Sequence, residues 1–165
     1  MAACKIGDIE YESLSAAITA ANSNDTITLY SDVTENVSIN GKSITIVLDG
    51  KTLSGNITIS SGSLIIDGKT LSVSQGSATA VFDNSSLTTV TGSDDADIIK
   101  NDFNHVTILG GKGDDTIENG GNSSVSIDGG EGNNLIKLTE NYDSDATETA
   151  INVSQGDTLS MLAQV

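Results

Sequence analysis

Seven β-branched residues set the terms for this chain: Val81, Val90, Ile99, Ile108, Ile117, Ile127 and Ile136, at intervals of 9, 9, 9, 9, 10 and 9. A compact mixture of helices and loops does not hold such a register, so the chain is built from a repeated unit. Upstream, Asp49-Gly50-Lys51-Thr52-Leu53 returns 18 residues later as Asp67-Gly68-Lys69-Thr70-Leu71, and Asn36-Val37-Ser38-Ile39 returns 20 later as Asn56-Ile57-Thr58-Ile59. The unit is therefore 18–20 residues, dividing into halves of nine toward the C-terminus. A short β-branched run followed by a Gly/Asn/Asp turn is a strand and a bend. Repetition at this period predicts an all-β chain wound as a parallel β-solenoid (β-helix or β-roll), with Ile and Val inward. Thr, Ser and Asn at the turns would hydrogen-bond to their equivalents above and below. About six coils fit between residues 30 and 140.

Ser, Thr, Asn and Gly fill 71 of 165 positions, a polarity also found in disordered chains. Against disorder stand 18 Ile, many in runs such as Ile44-Thr45-Ile46-Val47-Leu48. The absence of Pro fits a stack in which nearly every strand donates its N–H to a neighbour. Residues 1–30 differ: Tyr11–Asn22 is Ala-rich, with Leu14, Ile18 and Ala21 on one helical face and Ser13 as N-cap. A solenoid end must be covered, so 1–30 is read as a strand plus short capping helix, an amphipathic partner-binding helix being the alternative. Residues 31–90 are β-helix coils, 91–140 β-roll coils and 141–165 a C-terminal strand or cap, all in one continuous solenoid.

The formal charge is -16, and all seven basic residues are Lys. Nucleic acid and anionic lipid need dense positive charge, so neither is an expected partner. No apolar run approaches the roughly 18 residues of a membrane helix, so membrane insertion is not expected either. The opening Met1-Ala2-Ala3-Cys4-Lys5 shows no signal-peptide stretch.

Lys5-Ile6-Gly7, Tyr11-Glu12-Ser13-Leu14, Ala17-Ile18, Ala21-Asn22, Asp25-Thr26-Ile27-Thr28-Leu29 and Asp32–Val37 together resemble the opening of right-handed parallel β-helix modules of bacterial surface proteins, of pectate-lyase-like type. Further on, Gly110-Gly111-Lys112-Gly113-Asp114-Asp115-Thr116-Ile117-Glu118 matches G-G-x-G-x-D-x-U-x at every fixed position. Gly129–Lys137 matches except for Asn134 in place of Asp, and Gly92–Lys100 keeps the first Gly, Asp97 and Ile99 while adding Asp94 and Asp95. This stretch resembles an RTX β-roll, a family whose turns bind Ca²⁺.

Ca²⁺ takes six to eight oxygens at about 2.3–2.6 Å. Carbonyls from a glycine turn, one carboxylate per turn and the equivalent turn one coil away can supply them. The motif turns begin at 92, 110 and 129, so all three fall on one edge and enclose two intervals. The candidate ligand set is Asp94, Asp95, Asp97, Gly111, Gly113, Asp115, Gly130, Gly132 and Asn134, with the Asn134 interval expected to be the weaker. Residues 91–165 hold 14 acids and 3 Lys, against 9 and 4 in residues 1–90, so the charge gathers where the motif lies. The alternative is that Gly and Asp simply solvate the edge of a metal-free solenoid. His105 has no second His beside it in the chain, so a zinc site is not expected.

The expected function is non-catalytic: a calcium-stabilised extracellular module, structural or adhesive at a cell surface. A self-assembling filament or lattice subunit, stacking end to end, is the second reading. A polysaccharide-acting enzyme is the third, weakened by the lack of Arg that lyases of the resembled type employ. Expected partners are calcium ions and either a further copy of the chain or a cell-surface component. The tail is read as a final strand and cap, an export segment of RTX type, or an exchanged strand.

Overall fold

The computed structural model describes residues 1–83, 86–121, 123–139 and 150–161. Part of the expected C-terminal cap, 140–149 and 162–165, lies outside the described residues. In chain order the elements are β1 (Cys4–Ile6), β2 (Ile9–Tyr11), α1 (Leu14–Ala20), β3 (Thr26–Leu29), β4 (Val33–Thr34), β5 (Val37–Asn40), β6 (Ser43–Val47), β7 (Leu53–Ile66), β8 (Lys69–Asp83), β9 (Ser86–Gly92), β10 (Ile98–Asn101), β11 (Val106–Leu109), β12 (Thr116–Asn119), β13 (Val125–Asp128), β14 (Leu135–Leu138), β15 (Ala150–Asn152) and β16 (Thr158–Met161). They form a parallel β-solenoid of about six turns.

Two ladders run along it. One climbs through β3, β6, the end of β7, the start of β8, and then β10, β12, β14 and β16; the other through β5, the start of β7, the end of β8, and then β9, β11, β13 and β15. Alternation along each strand sends every second side chain inward. Ile27, Ile46 and Ile66 lie in register on the first ladder, and beyond the reversed coil Val73, Ile99, Ile117, Ile136 and Leu159 form a second row on it. Val90, Ile108, Ile127 and Ile151 occupy the second ladder. One apolar core runs from Cys4 to Leu138.

One coil departs from the expected parallel winding. β8 runs antiparallel to β7 along its length, and β9 and β10 run antiparallel to β8. The chain reverses for one circuit and then resumes its first sense. The reversal starts at Asp67 (φ +50) and Gly68 (φ +76), a two-residue turn between paired Ile66 and Lys69. Two positive-φ residues are the signature of a type I′ hairpin. Asp49 (φ +50) and Gly50 (φ +75) have nearly the same φ values, yet there the chain continues parallel. The two paths part within the identical residues: Leu53 pairs parallel with Val33, whereas Lys69, Thr70 and Leu71 pair antiparallel with Ile66, Ile65 and Leu64. Further on, Gly55 sits at φ +121, where a Cβ would overlap the Glu35 carbonyl, and its counterpart in the reversed coil is Val73. A consequence of the reversal is that Val81, the first member of the nine-residue series, faces Thr89 and is only half-buried; Ala80 takes the core place opposite Val90.

The N-terminal end is closed. β1 pairs antiparallel with β3, and β2 with β1. Helix α1 covers β5 on the other ladder, burying Leu14, Ala17 and Ile18. Ser13 is its N-cap, accepting from Ala16 N–H at 3.1 Å. The coil behind it supplies complementary charge. Glu35 accepts from the N–H groups of Leu14 and Ser15 at 3.0 Å, and Lys42 donates to the carbonyls of Ile18 and Ala21. An anion at the N-terminus and a cation at the C-terminus both suit the helix dipole. Cys4 is buried in the core, where its thiol donates to the Ser13 carbonyl. No helix among the described residues is long and apolar enough to cross a membrane.

Candidate functional site

The three motif turns stack on one edge through backbone hydrogen bonds. Lys112 N–H reaches Ser93 O, Glu131 N–H reaches Gly111 O, and the residues leaving each turn donate to the Asp or Asn one coil back. This close approach explains the glycines. At Gly130 (φ +83) a Cβ would overlap the Gly111 carbonyl oxygen, and at Gly132 (φ +117) it would overlap that of Gly113. Gly111 lies in the same way against the Ser93 carbonyl, and a Cβ at Gly113 would meet the Asp95–Ala96 peptide. The motif glycines are thus required by coil stacking itself, before any ion is considered.

Inside the edge runs a ladder of side chains with almost no exposure: Asp97 (0%), Asp115 (1%) and Asn134 (1%). Asp97 N–H donates to Asp115 Oδ1 at 2.9 Å, and Asp115 N–H to Asn134 Oδ1 at 2.9 Å. Asn134 N–H and its side-chain amide both donate to Asp157 Oδ1 at 3.0 Å. Asp157 is thus a fourth rung, absent from the sequence-based set. Its signal was present, since Asp157-Thr158-Leu159 repeats Asp115-Thr116-Ile117. It was obscured because the intervals along the ladder are 18, 19 and then 23 residues.

The rungs are not equivalent. Asp97 is satisfied: Ser77 N–H donates to Oδ1 at 2.8 Å, Ser93 N–H to Oδ2 at 2.6 Å, and the Ser93 hydroxyl lies 3.0 and 3.1 Å from the two oxygens. Asn134 has both its oxygen and its amide engaged. Asp115 Oδ2, by contrast, is the single buried side-chain oxygen or nitrogen among the described residues without a hydrogen-bond partner. It lies beside Gly110, where a Cβ would come within 2.6 Å of it and would also meet the Gly129 carbonyl oxygen. Burial pushes the Asp115 carboxyl from 3.8 up to about 6; the Asp97 N–H works against this, and the charges of Asp97 and Asp114 add to it. At Asp157, desolvation is outweighed by the N–H groups of Ser154 and Asn134 and the Asn134 amide, so its carboxyl is held below the ordinary value.

Asp94 and Asp95 do not join the ladder. Asp94 is 80% exposed and pairs at 2.8 Å with Lys112, which occupies a variable motif position one coil on. Asp95 is exposed, and its N–H donates to the Ser93 hydroxyl. Among the described residues no group of three or more His, Cys, Asp or Glu side chains could hold a metal ion. Any cation at this edge would need main-chain carbonyls as most of its shell.

A second buried polar ladder lies on β10 and β12. Asn101 and Asn119 are fully buried; the Asn101 amide donates to Phe103 O and Asn119 Oδ1 at 2.9 Å, and the Asn119 amide to Gly121 O at 2.7 Å. These amides satisfy turn carbonyls internally and read as structural pins. Ser43–Ser63 (2.6 Å) and Thr58–Thr79 (3.0 Å) likewise stack like on like, on strands rather than at the turns where such stacking was expected. His105 is a turn residue at φ +55.

No protein-family model matches the chain, and neither curated proteins nor solved structures give a match.

Proposed function

We propose that the chain is a non-catalytic, calcium-stabilised solenoid module of structural or adhesive character that works outside the cell. The observation that carries this reading is the unpartnered Asp115 Oδ2, a buried carboxylate oxygen on an edge rich in carbonyls. A buried acceptor without a donor costs stability, and a hard cation takes just this kind of oxygen. We place the ion at one interval, where Asp115 Oδ2 would join main-chain carbonyls of the adjoining Gly110 and Gly129 turns, the Asn134 side chain being engaged by Asp115 N–H and Asp157. This reverses the order expected from the missing charge at Asn134, because the Asp97 carboxylate is already occupied by N–H and O–H donors. An ion would supply charge compensation and cross-link neighbouring coils. Ca²⁺ at extracellular modules binds at about 10⁻⁴–10⁻³ M, so the edge would tighten outside the cell, where calcium is abundant.

Isothermal titration with CaCl₂ tests it. Wild-type chain and Asp94→Asn should bind with equal stoichiometry, since Asp94 is engaged with Lys112. Asp115→Asn should lose binding. Equal binding by Asp115→Asn, or none by the wild type, would remove the calcium role.

A further inference from the structure

We infer that Ser93 sets how many cations the motif edge takes: it closes the interval at Asp97 to an ion and leaves the one at Asp115 open. The inference rests on the calcium reading of that edge. Asp97 and Asp115 stand in closely matched surroundings, and both are almost wholly buried. Each places Oδ2 beside the first glycine of its own turn, where a Cβ would come within 2.7 Å of it at Gly92 and 2.6 Å at Gly110. Each of those glycines in turn faces the carbonyl oxygen of the first glycine one coil on, Gly110 and Gly129. Each carboxylate accepts one N–H on Oδ1 from the coil before, that of Ser77 at 2.8 Å for Asp97 and that of Asp97 at 2.9 Å for Asp115.

The second position of the motif makes the difference between them. It is Ser93 in the first turn, Gly111 in the next and Gly130 in the third. Gly111 (φ +105) and Gly130 (φ +83) take backbone angles that a side chain disfavours, and Ser93 does not share them. The Ser93 N–H instead donates to Asp97 Oδ2 at 2.6 Å. The Ser93 hydroxyl accepts from Asp95 N–H at 3.2 Å, so its own hydrogen is left for the carboxylate, whose oxygens lie 3.0 and 3.1 Å away. Charge-assisted bonds of this kind are among the strong ones, and together they supply the compensation that a cation would otherwise bring. An ion at Asp97 would meet an N–H and an O–H already aimed at the oxygen it needs. At Asp115 no donor stands at Oδ2.

Equilibrium dialysis of the full chain against CaCl₂, reading bound calcium per chain, tests it. Ser93→Gly gives the first turn the glycine of the other two. It should bind one ion more than the wild type, with the far-ultraviolet circular dichroism unchanged. Adding Asp97→Asn to that variant should remove the extra ion. Ser93→Gly combined with Asp115→Asn should still bind one ion, at Asp97, which separates this inference from the Asp115 reading. A purely structural Ser93 would lower the melting temperature in chelator and leave the ion count as it was. An equal count in Ser93→Gly and wild type would overturn the inference, and so would an extra ion that survives Asp97→Asn. A wild type that binds none beside a Ser93→Gly chain that binds one would overturn the Asp115 reading and support this one.

Discussion

At the scale of single residues, Asp115 has the sharpest consequence. Its folded carboxyl holds a proton up to about 6, against an ordinary 3.8. A raised acid pKa means the folded state binds the proton more tightly than the unfolded one. Without a cation, this residue therefore lowers stability as pH rises from about 4 to about 6, and the penalty stays in place above that. Asp115→Asn should abolish that loss, because an amide can donate where Oδ2 now has no partner, as the neighbouring Asn134 does. In chelator at neutral pH the variant should be more stable than wild type by about 1–3 kcal/mol, read from urea unfolding. A less stable variant would mean that the carboxylate is better accommodated than its surroundings indicate. Asp94, read from the motif as a candidate ligand, is paired with Lys112 one coil on.

At the scale of elements, the pattern of inward Ile and Val was legible because strand alternation and coil length impose it on every repeat. Ser13 and the helix after it were legible from local capping chemistry. The reversed coil was not, although Asp67-Gly68 is a strong hairpin signal, because the same five residues occur at Asp49–Leu53 and invite reading as a parallel repeat. The difference is one of partner, visible only once the coils are placed: Leu53 joins Val33 in parallel, and Leu71 folds back on Leu64. The Asp157 rung escaped for a related reason, its interval being longer than a coil. The Asp67-Gly68 turn gives a direct test. Gly68 faces open space, so Gly68→Val creates no clash and adds only backbone strain at φ +76. A loss of about 1–2 kcal/mol in unfolding free energy is expected. No loss would contradict the type I′ reversal.

At the scale of the whole molecule, the acidic charge, the glycine turns and the stacked edge belong to one argument. Coil stacking accounts for the glycines, hydrogen bonds account for Asp97, Asn134 and Asp157, and one carboxylate oxygen remains unanswered. The central claim is that calcium answers it, and thermal unfolding of the chain in chelator and in CaCl₂, with MgCl₂ as control, tests this most directly. Binding to the folded state alone adds about 1.4 kcal/mol at ten times the dissociation constant, or roughly 3–6 °C in Tm for a chain of this size. The account predicts that rise with calcium, a smaller one with magnesium, and none in Asp115→Asn. An identical Tm in chelator and in calcium would contradict it, leaving the turns as the edge of a metal-free solenoid.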